Sequence, residues 1–373
     1  MTVSRYRVLL CDLRTDRVLA ALPLHDVSLD DYIGKAGSLQ GTVPVPNRQI
    51  ADRIRPHLIP GRTAVWVERD RSVWWGGVLW TAEPTIDDRG FVTVPIQAGT
   101  FDTYLEHRIL WTTQKATQVD QFGIVRDLID YVQSLPGGDI GIEYDTAPSG
   151  VARSRTFSRH DQPRIRELLD ELAKAEGGFE WRIACLRDPE TGRRTKQLQL
   201  GHPIIDRSEA PVVLNHPGHI LAASFPIDAT VQANVWQARG ATTNSNQAAE
   251  SKPLTSELLV DEDALADGWP RLDGTADYSS TNKQAELDEY ARADFDAARH
   301  PRVIPAVTVR LGEHITPDLL GRTVRIRIRN AWFPDGYDER RRVVGIAVTP
   351  PERGKAETAK LTLETPTHGN SPL

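Results

Sequence analysis

The sequence predicts a mainly β protein with an α+β insert: two β-barrel-like domains flanking a helix-containing one. Three observations carry this. Residues 1–117 are short apolar–polar alternations cut by Gly and Pro. Residues 118–210 hold two stretches of helical periodicity and a hairpin. Residues 211–373 return to alternation around one long helical stretch. A chain of 373 residues also exceeds what one hydrophobic core organises, so the three regions are expected as three domains, 1–117, 118–210 and 211–373.

In the first region Tyr6, Val8 and Leu10 alternate with Arg5 and Arg7, the pattern of a half-buried strand. Residues 63–68 and 73–80 are separated by Arg69, Asp70, Arg71 and Ser72, which predicts a hairpin with aromatic cross-strand packing from Trp66, Trp74, Trp75 and Trp80. After the turn-forming residues Asp87, Asp88, Arg89 and Gly90, residues 91–97 read as a further strand. Closely spaced strands of this kind usually close into a small barrel or sandwich, which removes exposed edges.

In the middle region Phe122, Val125, Ile129 and Val132 recur at helical spacing until Pro136 and Gly137 end the run. A second helix is expected from about Pro163, whose fixed φ suits a first turn, with Ile165, Leu168, Leu169, Leu172 and Ala173 as its apolar stripe and Gly177-Gly178 as its stop. Residues 179–185 and 196–200 then form a hairpin across Asp188, Pro189 and Gly192.

The last region opens with strands near residues 212–214 and 233–238. Residues 241–257, rich in Asn, Ser, Thr and Ala, read as a mobile loop. Thr281 and Gln284 have capping-box spacing, and the helix they open would bury Leu287, Tyr290, Ala291, Phe295 and Ala298 before His300 and Pro301 end it. Strands are expected at 307–311, 323–329, 342–348 and 359–363, followed by a polar tail, 366–373.

Composition narrows the function classes. With 39% apolar and 26% charged residues the chain is globular, and a net charge of −6 supplies no global basic field for nucleic acid. The N-terminal apolar run stops at Asp12, short of a signal-peptide core, and no stretch approaches the roughly 20 apolar residues of a membrane span. The expectation is a soluble protein made in the cytosol. Cys11 and Cys185 sit in expected strands and read as buried, inert thiols.

Catalytic and cofactor motifs are weak. His202, His216 and His219 include an H-x-x-H spacing but lie in Pro/Gly connections, which favours loop packing over a zinc site. Residues 261–268 resemble a calcium loop until Leu265 and Ala266 stand where a ligand and a glycine are required, so an acidic turn is the better reading. There is no G-x-S-x-G elbow, no phosphate loop and no dinucleotide fingerprint. Glu143 and Asp145 alternate in an expected strand with no second acidic pair. Neither a cofactor nor an enzymatic activity is expected. A cell-wall hydrolase remains a competing class, because two glycosidase acids can lie far apart in sequence. The tryptophans could form a sugar-stacking platform, but packing in a core and a subunit interface accounts for them better. Arg325, Arg327 and Arg329 alternate with Val324, Ile326 and Ile328, giving either a solvated outer face or a basic stripe at a contact or pore.

Taken in order, these elements resemble the tail-hub (minor tail) proteins of long-tailed phages infecting actinobacteria, related in fold to the baseplate hub of contractile tails. The resemblance rests on the strand Tyr6–Asp12, the hairpin 66–80 with Gly76-Gly77-Val78, and the helix 165–175 leading into Gly177-Gly178-Phe179-Glu180-Trp181. The helix 285–298, residues 318–324 and the closing strand pair complete it. It implies a homotrimer in which each copy gives two similar β-barrels to a ring, matching a threefold tip to a sixfold tail tube. It further implies a channel for the tape-measure protein and DNA, the DNA passing without sequence recognition. The implied neighbours are a distal tail protein or tail-tube ring and tip or receptor-binding proteins, on a virion assembled in the host cytoplasm. Trp74, Trp75 and Trp80 are the expected aromatic interface anchors, and Arg325, Arg327 and Arg329 the expected contact or pore charges. Many hubs carry a C-terminal wall-degrading extension, which the 359–363 strand and short tail do not resemble.

Overall fold

The computed structural model describes residues 5–206, 210–242, 252–299, 302–312, 315–352 and 355–364. Residues 243–251 of the expected loop, His300 and Pro301 at the expected helix end, and the tail 366–373 lie outside them. The fold is mainly β, as predicted, but its partition differs from three consecutive domains. Met1–Leu168, Glu180–Ser224 and Pro305–Leu373 form a larger unit, and Leu169–Phe179 with Phe225–Ile304 form a smaller one.

One fourteen-stranded sheet organises the larger unit. Its main path runs Ile220–Ser224, Ala306–Arg310, Thr358–Glu364, Tyr337–Thr349, His25–Tyr32, Ser38–Val45, Val92–Thr100, Ser72–Ala82, Thr63–Arg69, Tyr6–Asp12 and Val18–Leu22. Thr323–Ile328 pairs with Tyr337–Thr349 and, in parallel, with Val212–His216. The path never returns on itself, so neither β module is a closed barrel. The modules are joined instead: residues 345–348 of the long Tyr337–Thr349 strand pair with residues 29–32, and Ile33 N donates to Val344 O at 2.9 Å. Gly345 is required at this junction, because a Cβ there would meet the Tyr32 ring at 2.4 Å. At the far end the helix Arg48–Ile54 lies beside the Val18–Leu22 strand, where Arg53 Nη2 donates to Ala21 O at 3.1 Å.

The predicted hairpin forms with a tighter turn than its polar stretch implied. Asp70 and Arg71 alone make it, both with positive φ (49° and 74°), as a two-residue hairpin loop with right-handed strand twist demands. The Tyr6–Asp12 strand corrects the half-buried expectation: Val8, Leu9, Leu10 and Cys11 are all buried, so both faces are covered.

Much of that cover comes from the middle region. Its hairpin, Glu180–Arg187 with Arg194–Gly201, docks on the first module through buried polar groups. Arg182 Nη2 lies 2.6 Å from Asp31 Oδ2 and Arg194 Nη2 2.8 Å from Asp16 Oδ2, while Arg187 pairs with Glu68. Lys196 Nζ donates to Leu13 O at 3.2 Å and to Ile140 O. Cys185 Sγ lies 3.5 Å from Gly76 O. The middle region is thus not a separate domain, because its hairpin completes the core beneath residues 1–117. The helix Gln121–Ser134 forms as predicted, with Asp120 as N-cap accepting from Phe122 N at 2.9 Å. In the helix Ile165–Lys174 the predicted stripe is buried at Ile165, Leu168, Leu169 and Leu172, while Ala173 at its margin is only half-buried.

The smaller unit centres on the strand Val235–Thr242, antiparallel to Pro253–Thr255 and Leu259–Val260 and parallel to Asp273–Asp277. The helix Gln284–Ala298 packs Leu287 and Ala291 on Ala238, with Trp236, Leu254, Leu259 and Tyr278 around them. Two expectations change here. Residues 253–255 are a strand, not part of a loop. The capping box does not form: Lys283 is the N-cap, without a side-chain bond, so Thr281 stands two residues early. Thr281 is buried and ties the strand instead, its carbonyl accepting from Ala241 N at 2.7 Å.

Candidate interface surfaces

Two of the three expected aromatic anchors are not on the surface. Trp75 is 1% and Trp74 4% exposed, and both belong to the core of the first module. Trp75 Nε1 donates to Asp30 O at 2.9 Å, while Trp74 meets the Tyr6 ring edge-on and lies under the Arg69 guanidinium, 4.9 Å from its carbon. Adjacent residues of a strand point to opposite faces, so both can be buried only because both faces of the sheet are covered. Trp80 is half-buried and committed within the chain, with Nε1 donating to Thr103 Oγ1 at 2.8 Å and its ring 4.3 Å from His107. Trp66, the fourth tryptophan of the hairpin, is fully buried and donates to Asp16 Oδ1 at 2.7 Å. These positions overturn the surface-anchor reading of Trp74 and Trp75, and with it the sugar-stacking platform.

The arginine alternation is realised. Val324, Ile326 and Ile328 are buried, Arg325 is partly exposed, and Arg327 and Arg329 are exposed. Cross-strand register sets Arg325 opposite Arg340 and Arg327 opposite Asp338. Asp338 Oδ2 lies 2.8 Å from Arg325 Nη2 and 3.2 Å from Arg327 Nε, and the two guanidinium groups hold its carboxyl below the usual carboxylate range. Arg329 Nε donates to Pro334 O at 3.2 Å.

Sequence reasoning passed over Trp332, 79% exposed at the tip joining these two strands. Asn330 Oδ1 accepts from Trp332 N at 3.0 Å and Phe333 N at 2.9 Å, and Phe333 packs on Tyr337 with ring centroids 5.0 Å apart. The signal was present in Asn330-Ala331-Trp332-Phe333-Pro334-Asp335-Gly336: an Asn that builds a turn on its own backbone, then an aromatic pair bounded by Pro and Gly.

The other candidates do not converge. His219 Nδ1 lies 3.4 Å from Asn215 N and His202 Nδ1 3.4 Å from Gln121 Nε2, and no group of three or more metal-binding side chains assembles among the described residues. Residues 262–266 are a short helix capped by Asp261, whose carboxylate accepts from Ala264 N at 3.0 Å. Glu143 and Asp145 pair with Arg193 and Arg126. Burial pushes the Cys11 thiol up to about 12 and raises Cys185 as well, the reverse of a reactive thiolate. Among the described residues no helix is long and apolar enough to cross a membrane.

A mainly β chain whose two modules share one sheet, with a helix-bearing insert folded onto it, has the fold of phage tail proteins. It is similar over 96% of its length, and 98% of the other's, to the 43 kDa tail protein of prophage MuSo2 from Shewanella oneidensis, with 11% identity and a TM-score of 0.60. The tail protein from Neisseria meningitidis MC58 also gives 0.60 at 11% identity, with 98% of this chain and 97% of that one covered. A chain of the Francisella PdpA-VgrG complex gives 0.52 at 8% identity, with 99% of this chain matched to 54% of that one. No family model and no curated protein sequence matches.

Proposed function

We propose that this protein is a structural virion protein, the central hub of a phage tail tip. Three copies form a ring that joins the sixfold tail tube to the threefold tip and leaves an axial channel for the tape-measure protein and for DNA. The observation that carries this reading is the end-to-end likeness to two tail proteins, in which both β modules and the insert are matched within one alignment. Two β modules per copy in a threefold ring give six similar positions, which suits a junction between sixfold and threefold symmetry. The hub meets a distal tail protein or tail-tube ring on one side and tip or receptor-binding proteins on the other, on a particle of the kind that infects actinobacteria, assembled in the host cytoplasm. It acts through shape and contact charge, without catalysis or a cofactor. Its buried Cys11 and half-buried Cys185, both with thiol pKa raised by burial, and its ion-paired Glu143 and Asp145 fit that role.

Negative-stain electron microscopy of the purified chain, with solution mass measured on the same sample, tests the proposal. A threefold ring with an axial hole and a mass near three times 41.5 kDa is expected. A monomer that stays monomeric at high concentration and on added tail-tube protein refutes it.

A further inference from the structure

The exposed face of the Thr323–Ile328 and Tyr337–Thr349 pair holds Arg325, Arg327, Arg329 and Arg340 around a single carboxylate, Asp338; Glu339, opposite Ile326, belongs to the other face. Asp338 is already shared by Arg325 and Arg327, and Arg340 has no ion pair among the described residues. Beside this cationic face stands Trp332, held out by the Asn330 turn. Arginine and tryptophan together are the residues most enriched where protein surfaces bind tightly. An exposed excess of guanidinium favours an anionic partner.

The same chain supplies one. Its charge is divided unevenly: the segments Leu169–Phe179 and Phe225–Ile304 carry 17 Asp and Glu against 8 Lys and Arg, a balance of −9, so the rest of the chain is +3 within the total of −6. The acids are densest at residues 261–267, where Asp261, Glu262, Asp263 and Asp267 make no ion pair among the described residues. Asp261, Asp263 and Asp267 line a cavity of about 300 Å³ with Trp269, which is 45% exposed. On its wall Gln232 Oε1 is a buried acceptor without a donor, and Arg299, the one cation there, leans 3.9 Å from Asp296. A guanidinium entering this cavity finds carboxylates and an aromatic face, both of which favour it.

We propose that the arginine–tryptophan face of one copy docks on the acidic residues 261–269 of a second copy, with Arg329 and Arg340 meeting the carboxylates and Trp332 packing beside Trp269. The contact rests on the hub reading above and gives it a mechanism. It joins two different patches, so each copy has one of each to offer and association proceeds head to tail until a ring closes. Exposed charge pairs are screened beyond roughly 8 Å at physiological ionic strength, so assembly weakens as salt rises.

Sedimentation velocity of the full chain at low and high salt tests this, with circular dichroism confirming that every variant folds. The wild type is expected to assemble, and less so at high salt. Arg329→Glu with Arg340→Glu, or Asp263→Lys with Asp267→Lys, should each raise the dissociation constant about tenfold or more, since like charges are brought together. Combining all four reversals in one chain should restore assembly, and Trp332→Ala should weaken it without changing its salt dependence. Rings that persist unchanged in both one-sided reversals overturn this contact while leaving the hub reading intact. One-sided losses that the fourfold reversal does not repair overturn it too. A wild type that forms no oligomer under any condition removes the hub reading and this contact together.

Discussion

Replacing Arg342 by alanine should damage the larger unit more than the loss of any surface charge. Arg342 is 1% exposed. Its guanidinium makes a two-pronged contact with Glu180 of the insert hairpin, with Nη1 2.7 Å from Oε2 and Nη2 bonded to Oε1, and Nη1 also donates to Ile205 O at 3.1 Å. Nη2 lies 3.3 Å from both oxygens of Glu364 on the neighbouring strand. One side chain thus ties the long Tyr337–Thr349 strand to the insert and to the closing strand. Removing one partner of a fully buried pair costs about 3–5 kcal/mol, because the other charge is left without a counter-ion. The Glu180 side chain retains 22% exposure and Glu364 42%, so water relieves part of the penalty. We therefore expect about 3 kcal/mol at the low end of that range, and a melting temperature lower by on the order of 5 °C. The assay is a double-mutant cycle of Arg342→Ala and Glu180→Ala in urea, followed by circular dichroism, with a coupling of about 1.5–3 kcal/mol expected for this charged, two-pronged contact. A loss below about 1 kcal/mol for Arg342→Ala, or a coupling indistinguishable from zero, would refute the reasoning.

Three further outcomes follow from the geometry. Gly77→Ala should prevent the first module from folding, since the new Cβ would lie 2.0 Å from Gly99 O and 2.5 Å from the Trp75 ring; Gly312→Ala, with open space around it, should be nearly silent, and soluble yield with thermal melting compares the two. Asp120 caps the Gln121–Ser134 helix and also accepts from Ser149 N and Gly150 N, bonds that hold its carboxyl below the ordinary 3.8. Asp120→Ala should cost about 1–2 kcal/mol near neutral pH. Because the folded-state pKa is lowered, the stabilisation is present above 3.8 and is lost as pH falls through the folded value, so the gap between wild type and variant should close in acid; a gap independent of pH contradicts the assignment. A thiol reagent at neutral pH should label neither Cys11 nor Cys185 until denaturant is added, and rapid labelling of the native protein would contradict their burial.

Local pattern made most individual elements legible. The hairpin around Asp70, the helix opened by Asp120 and the outward arginines were written in alternation, capping and turn chemistry, which act over a few residues. What connects them was not. The strand His25–Tyr32 contains Asp26, Asp30 and Asp31, and its polarity hides it from any period-two reading. Asp31 is nevertheless largely covered beside Arg182, 151 residues away in sequence, and desolvation raises its pKa despite that partner. For the same reason the burial of Trp74 and Trp75 could not be read locally: it depends on Arg182, Arg187, Arg194 and Lys196 bringing the insert hairpin over the sheet. The two-unit division also follows from distant pairing, since Val235–Thr242 takes its parallel neighbour from Asp273–Asp277 and leaves the large sheet to strands on either side of it in sequence. Trp332 was legible in principle, through the Asn330 turn, but an exposed aromatic is conspicuous only once the rest of the core has been filled.

The pairing of residues 29–32 with residues 345–348 sets a schedule for synthesis. When the ribosome has made the first module, the His25–Tyr32 strand has its inner partner, Ser38–Val45, but its outer one, residues 345–348, is still more than two hundred residues from being made. At roughly 5–20 residues per second that edge waits about 10–50 s, a long exposure for a strand in a cell filling with identical chains. Asp26, Asp30 and Asp31 are what a strand in that position needs: carboxylates that discourage a premature neighbour, with Asp31 later accommodated by Arg182. The acids that concealed this strand in the sequence would then be the ones that keep nascent copies apart until each has closed its own sheet.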